Sequence, residues 1–228
     1  MQFQHLLLSL LLIPAVSAHV GNISLNSDIA EILKDHSGND LSSVFTASLG
    51  FFDNNFAPTS ENIGDWEINW VAFTQASIDT TNPPFPEPRF KLEANLLNDG
   101  TSSDNSEANF GGESAWLWVY NTQNAFAPGA EWFLGRVQTW MFPEPIQSEC
   151  STCPGDFEIQ WAISQFSDQT PVWGRQSAHE GGGFSDFPSD TFTLQTYIVI
   201  PEPGSLFLML AAFSAASLLL YRRKGAAQ

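Results

Sequence analysis

The chain predicts an all-β protein, an antiparallel β-sandwich or jelly roll, set between an N-terminal signal peptide and a single C-terminal transmembrane helix. Three observations carry that expectation. Apolar and polar residues alternate at period two in several separated stretches, and clusters of Asn, Asp, Pro and Gly punctuate the intervals. Both ends also hold apolar runs unlike anything in the middle. The implied organisation is a signal peptide over residues 1–18, an extracytoplasmic β-domain over 19–200, and a terminal segment over 201–228. No repeat with a period of about 20–50 residues recurs, which argues against a solenoid or propeller.

Leu6 to Val16 is apolar apart from Ser9 and Pro14, and Val16-Ser17-Ala18 offers the small residues after which a signal peptidase cuts. The mature chain is therefore expected to begin at His19. A short helix is expected over Asp28 to Asp35, where Ile29, Ile32 and Leu33 fall on one face behind Ser27 or Asp28 as cap. Half-buried strands are expected at Trp66-Ile68-Trp70-Ala72, Phe90-Leu92-Ala94-Leu96, Trp116-Trp118-Tyr120, Phe157-Ile159-Trp161-Ile163, and from Phe192 and Leu194 on to Ile198. Glu131 to Phe142 is apolar on both parities around Gly135, the pattern of a central strand with a bulge or close approach at the glycine. Turns are expected at Asp53-Asn54-Asn55, Asn82-Pro83-Pro84, Asn98-Asp99-Gly100, Ala127-Pro128-Gly129, Pro154-Gly155-Asp156 and Gly181-Gly182-Gly183.

The charge balance removes whole classes of function. The 228 residues carry 25 acidic against 8 basic side chains, a net charge of −17, and Arg222, Arg223 and Lys224 lie beyond the body. Residues 19–200 keep only Lys34, Arg89, Lys91, Arg136 and Arg175 against 24 acids. Nucleic acid needs a basic face to neutralise its phosphates, so it is excluded as a partner. Anionic lipid surfaces and acidic polymers are poor partners for the same reason.

Catalytic and metal signatures are sparse. Cys150 and Cys153 flank Ser-Thr between proline-rich loops; two thiolates cannot complete a tetrahedral zinc site, and the pair lacks the strand-to-helix setting of a redox dithiol. In an exported chain they predict a small structural disulfide. No His-Glu-x-x-His or Gly-x-Ser-x-Gly occurs, and the glycines after His179-Glu180 match no phosphate-binding pattern. Asp99 to Glu107 is rich in hard oxygen ligands but lacks EF-hand spacing, so a flexible acidic loop is the preferred reading over a calcium site. No cofactor and no metal site is expected. Trp116, Trp118 and Tyr120 share one strand face and form a candidate carbohydrate-stacking platform; the competing reading places them in an aromatic core layer.

The last 28 residues are the most informative. Pro201-Glu202-Pro203-Gly204 is followed by an uncharged apolar run, and residues 205–221 as a helix would span about 25 Å. Arg222, Arg223 and Lys224 follow as a topology-setting basic cluster that keeps the terminus in the cytoplasm. These three parts in this order resemble the PEP-CTERM sorting signal of Gram-negative, exopolysaccharide-producing bacteria. The resemblance implies that an exosortase, a membrane transpeptidase-like cysteine enzyme, cuts near the tripeptide and releases the body. Cell surface or extracellular matrix is then the destination, with the inner membrane as intermediate. Phe45 to Phe56, Pro58-Thr59, Asn62 to Trp66 and Ala115 to Asn121 also look loosely like bodies borne by such proteins, and that likeness implies no activity.

The expectation for function is an exported surface or matrix protein with a structural or adhesive role and no catalysis. Signal peptidase and exosortase are its expected processing partners, and extracellular polysaccharide is a further candidate partner. The alternatives are a carbohydrate-binding β-sandwich module and a glycan-active hydrolase using two carboxylates.

Overall fold

The computed structural model describes residues 21–27, 31–53, 55–81, 88–144, 157–168, 171–176 and 192–200. Within them the protein is all-β, with eleven strands in three sheets and only short helical turns. The largest sheet has five strands in the order β11-β7-β6-β3-β4: Tyr197–Ile198, Glu131–Gly135, Trp116–Tyr120, Thr46–Phe52 and Trp70–Ser77. Every pairing in it is antiparallel. Two three-stranded sheets complete the architecture. In one, β1 (Gly21–Asn26) runs between β5 (Lys91–Leu96) and β8 (Phe157–Ala162); in the other, β10 (Phe192–Gln195) runs between β2 (Glu31–Lys34) and β9 (Arg175–Gln176).

The expectation of a wholly antiparallel arrangement needs correcting. β1 lies parallel to β8, and β2 lies parallel to β10. Parallel neighbours need a long crossover, and here it is most of the domain. The chain lays down β1 and β2, builds the large sheet, and returns to pair β8 and β10 beside them.

One face of the five-stranded sheet and both small sheets share a single core. Ala47, Leu49 and Phe51 of β3, Leu117 and Val119 of β6 and Phe133 of β7 meet Ile23, Leu25, Leu33, Leu92, Trp161 and Leu194 there. Period-two alternation sends the other parity of the large sheet outward. That parity is buried as well. Phe52, Trp118, Tyr120, Trp132 and Leu134 form a second core with Ile63 and Trp66, which come from a single turn of 3-10 helix (Ile63–Asp65) running into α1 (Trp66–Asn69). Ala125, Ala130 and Val199 close its other side.

Two local expectations reverse here. Trp66 to Asn69 is helical, and the strand begins only at Trp70, because Trp66 must turn its indole down onto the sheet. It stacks on Trp132 at 5.4 Å, and its Nε1 donates to Asn62 Oδ1 at 2.9 Å. The helix expected over Asp28 to Asp35 is instead strand β2 where it is described. Glu31 there is buried and accepts from the Ser164 backbone N–H at 2.8 Å, tying β2 to the 3-10 turn Ile163–Asp168. β7 ends at Gly135 instead of running to Phe142, and the predicted close approach is present, since a Cβ on Gly135 would lie 2.9 Å from the Phe166 ring.

The bulge lies elsewhere. The β3–β4 register shifts between Leu49 and Gly50, where Leu49 opposes Thr74 but Gly50 opposes Ala72, so Phe73 is the extra residue. β4 passes close to Gly50 at this bulge, where a Cβ would lie 2.2 Å from the Val71 carbonyl oxygen. Gly50→Ala should therefore cost about 2–3 kcal/mol, read as a lower urea midpoint. Gly38→Ala is the control: that glycine has φ 85° with nothing near its missing Cβ, and only the backbone penalty of about 1 kcal/mol applies. Equal losses at the two sites would show that close approach at Gly50 is not what the bulge demands.

Candidate functional site

Trp118 and Tyr120 are not a surface platform. Trp118 is fully buried, with its ring against Trp132 at 4.9 Å and Trp70 at 5.5 Å. Tyr120 is nearly so; burial raises its hydroxyl pKa, and the hydroxyl meets Gln75 Oε1 at 3.3 Å. The turn carrying Trp66 covers this face, so the stacking residues expected from the strand pattern became core. Only Trp116, at the start of β6, stays half exposed.

Trp116 lines an open cleft of about 340 Å³ together with Phe52, Asn55, Phe56, Glu113 and Arg136 among others. The topology brings these residues to one end of the large sheet. Asn55 and Phe56 follow the C-terminal end of β3, Glu113 precedes β6, and Arg136 follows β7; antiparallel pairing of β3 with β6 and of β6 with β7 superposes those ends. Phe52 forms the floor, edge-on to Trp116 at 5.7 Å and tilted against Phe56 at 5.5 Å. The Arg136 guanidinium sits over the Trp116 ring, 5.0 Å from its centroid. Asn55 has φ 57°, the one non-glycine residue with positive φ among those described. Asparagine tolerates this conformation better than most side chains.

The polar side chains of the cleft are uncommitted. Among the described residues, the side chains of Asn55, Glu113 and Arg136 make no hydrogen bond or ion pair, whereas Lys34 is bound to Asp40 at 2.8 Å and Lys91 to Glu93. The strand alternation exposed only Trp116 of this group, because Glu113 and Arg136 lie just outside strands and carry no motif.

The acidic loop uses its oxygens internally. Asp99 Oδ1 accepts from the Thr101 backbone N–H at 2.9 Å and from its hydroxyl at 2.7 Å, and Asp104 Oδ2 accepts from the Thr74 hydroxyl at 2.7 Å. No group of three or more His, Cys, Asp or Glu side chains able to hold a metal occurs among the described residues. Cys150, Cys153 and the His179 to Gly183 loop lie outside the described residues, as do residues 1–18 and 201–228, which include Pro201, Glu202, Pro203, Gly204 and Arg222 to Lys224.

The fold and the cleft thus define an all-β protein with an aromatic-floored site bearing one carboxylate and one guanidinium. Comparison with protein families, with curated proteins and with solved structures finds no match in any of the three.

Three exposed carboxylates have pKa values below the usual range. Hydrogen bonds from the Thr81 backbone and hydroxyl lower Asp79, those from the Thr101 hydroxyl and backbone lower Asp99, and hydrogen bonds from Lys91 and Asn22, with the Lys91 charge, lower Glu93. A carboxyl whose pKa falls on folding stabilises the fold fully above its unfolded value of about 4 and loses that contribution as pH drops through the lower folded value. Melting temperature should therefore fall on acidification from about pH 5 to about pH 3, and the Asp79→Asn/Asp99→Asn double variant should show a shallower acid limb. Superimposable melting curves against pH for wild type and variant would contradict this assignment.

Proposed function

We propose that the chain is an exported protein of the cell surface or extracellular matrix, sorted through its C-terminal segment and acting there as a structural or adhesive β-sandwich without catalysis. The observation that carries this is the ordered tripartite tail: Pro201-Glu202-Pro203, the apolar run 205–221, and Arg222-Arg223-Lys224. The end of the described fold supports the joint that sorting needs. Val199 is held in the second core with its N–H on the Ala130 carbonyl at 2.7 Å, whereas Ile200 is 72% exposed. Ile200, the last described residue, therefore lies outside the core, and Pro201 and Pro203 have no N–H to donate to a sheet. Among the described residues no helix is long and apolar enough to cross a membrane, so the proposed membrane segment is the run 205–221.

In this proposal the helix is a temporary stop. Ala211, Ala212, Ser214, Ala215, Ala216 and Ser217 make it a weak anchor, which suits a segment that is cut away. Mass spectrometry of the C-terminal peptide from surface-released and membrane-bound protein is the direct test. Released wild-type protein should end near Pro203, and Glu202→Gln or the Pro201→Ala/Pro203→Ala pair should leave full-length precursor in the membrane. Surface protein that still carries residues 205–228 would replace sorting with a plain single-pass anchor.

A further inference from the structure

We propose that the cleft between Phe56, Glu113, Trp116 and Arg136 is a binding site for a neutral saccharide. The inference concerns the body alone and stands whether or not the tail is processed.

The starting point is the chemistry left available. The cleft joins an aromatic floor and wall (Phe52, Phe56, Trp116) to three polar side chains, Asn55, Glu113 and Arg136, that have no hydrogen-bond or ion-pair partner among the described residues. Glu113 and Arg136 border the same space without closing into a salt bridge with each other. A carboxylate offers only acceptors, a guanidinium only donors, and an asparagine amide both. Their complement is a ligand that presents donors and acceptors side by side over an apolar surface. A sugar ring does this, because each hydroxyl both donates and accepts and the axial C–H groups form a face that packs on aromatic rings.

Other ligand classes fit worse. A purely apolar ligand would strip water from Glu113 and Arg136 and return nothing. An anion would gain the Arg136 fork but meet Glu113 within the cleft and a body of five basic against 24 acidic residues around it. A metal would find one carboxylate, and no three-ligand group occurs among the described residues. The volume of about 340 Å³ lies at the small end of ligand pockets, which suits one or two sugar rings of a longer chain entering an open groove.

The site also has the preorganisation that weak polar ligands need. Arg136 is restrained over the Trp116 ring and Trp116 is braced edge-on by Phe52, so less freedom of these two side chains remains to be lost on binding. The platform expected on Trp116, Trp118 and Tyr120 is thereby replaced by a different constellation that keeps only Trp116.

The test uses the full chain, purified in detergent, on an array of neutral oligosaccharides of glucose, galactose, mannose and xylose beside oligomers of galacturonate and glucuronate. Titration calorimetry of the best neutral and best anionic probes follows. At least one neutral oligosaccharide should bind, and Glu113→Ala and Arg136→Ala should each weaken it about tenfold or more. Both side chains are exposed, so both variants should melt with wild type. Ile68→Ser, on the exposed side of α1, should bind as wild type does. Binding of no neutral probe, binding of uronates alone, or neutral binding unchanged in both cleft variants would overturn the proposal.

Discussion

The structure depends on one constraint: the three central strands of the five-stranded sheet are buried on both faces. A sheet with one wet face can alternate apolar and polar residues, but here β3, β6 and β7 have no parity left for water. Ala47, Leu49 and Phe51 look into one core while Ser48, Gly50 and Phe52 look into the other, and each must fit a neighbour on its own side. Small residues sit where elements come closest. Gly50 admits the bulged β4, and the Ser48 hydroxyl receives the Trp70 Nε1–H at 3.1 Å.

The second core explains the heavy use of tryptophan. Trp66, Trp118 and Trp132 are buried in it and Trp70, Trp116 and Trp173 pack against it, while Trp140 and Trp161 stack in the main core at 5.2 Å. The covering segment, about two turns of helix over 63–69, is too short to hold itself, and large flat rings supply buried area per residue that aliphatic side chains could not. Most indole N–H groups that enter this layer are matched: Trp66 to Asn62, Trp70 to Ser48, Trp132 to the Thr122 carbonyl and Trp173 to the Tyr197 carbonyl. Trp118 Nε1 has no partner among the described residues, and its position between Trp66, Trp70 and Trp132 shows that ring packing prevails there over hydrogen bonding.

The double burial also sets what was legible beforehand. β5 and β8 carry clear alternation and lie where the pattern puts them, and β6 is a strand where expected but is apolar and buried on both parities. β1, with only Ile23 and Leu25 as apolar signal, and β3, with small and apolar residues on both parities, give no period to read. At Trp66-Ile68 the alternation is accidental: Trp66 is buried beneath the helical turn while Ile68 is among the most exposed apolar residues described. Ile32 and Leu33 fit a helical face equally well, and the tertiary pairing with β10 decides for strand. The cleft was legible only at Trp116. Its remaining members come from three connections that the register alone brings together.

That register also relates the cleft to the point where the chain leaves the fold. The cleft gathers at the sheet end where β3 and β7 finish and β6 begins, since Trp116 opposes Gly50 and Leu117 opposes Gly135. The exit gathers at the other end, where Ile198 opposes Glu131 and Val199 reaches Ala130. β6 separates the two by five residues, about 17 Å of strand. Only Pro201 to Gly204 intervene between Ile200 and the apolar run, so a body held by the proposed tail has no long leash on which to turn over. The sheet itself then points the Trp116 and Arg136 end away from the exit.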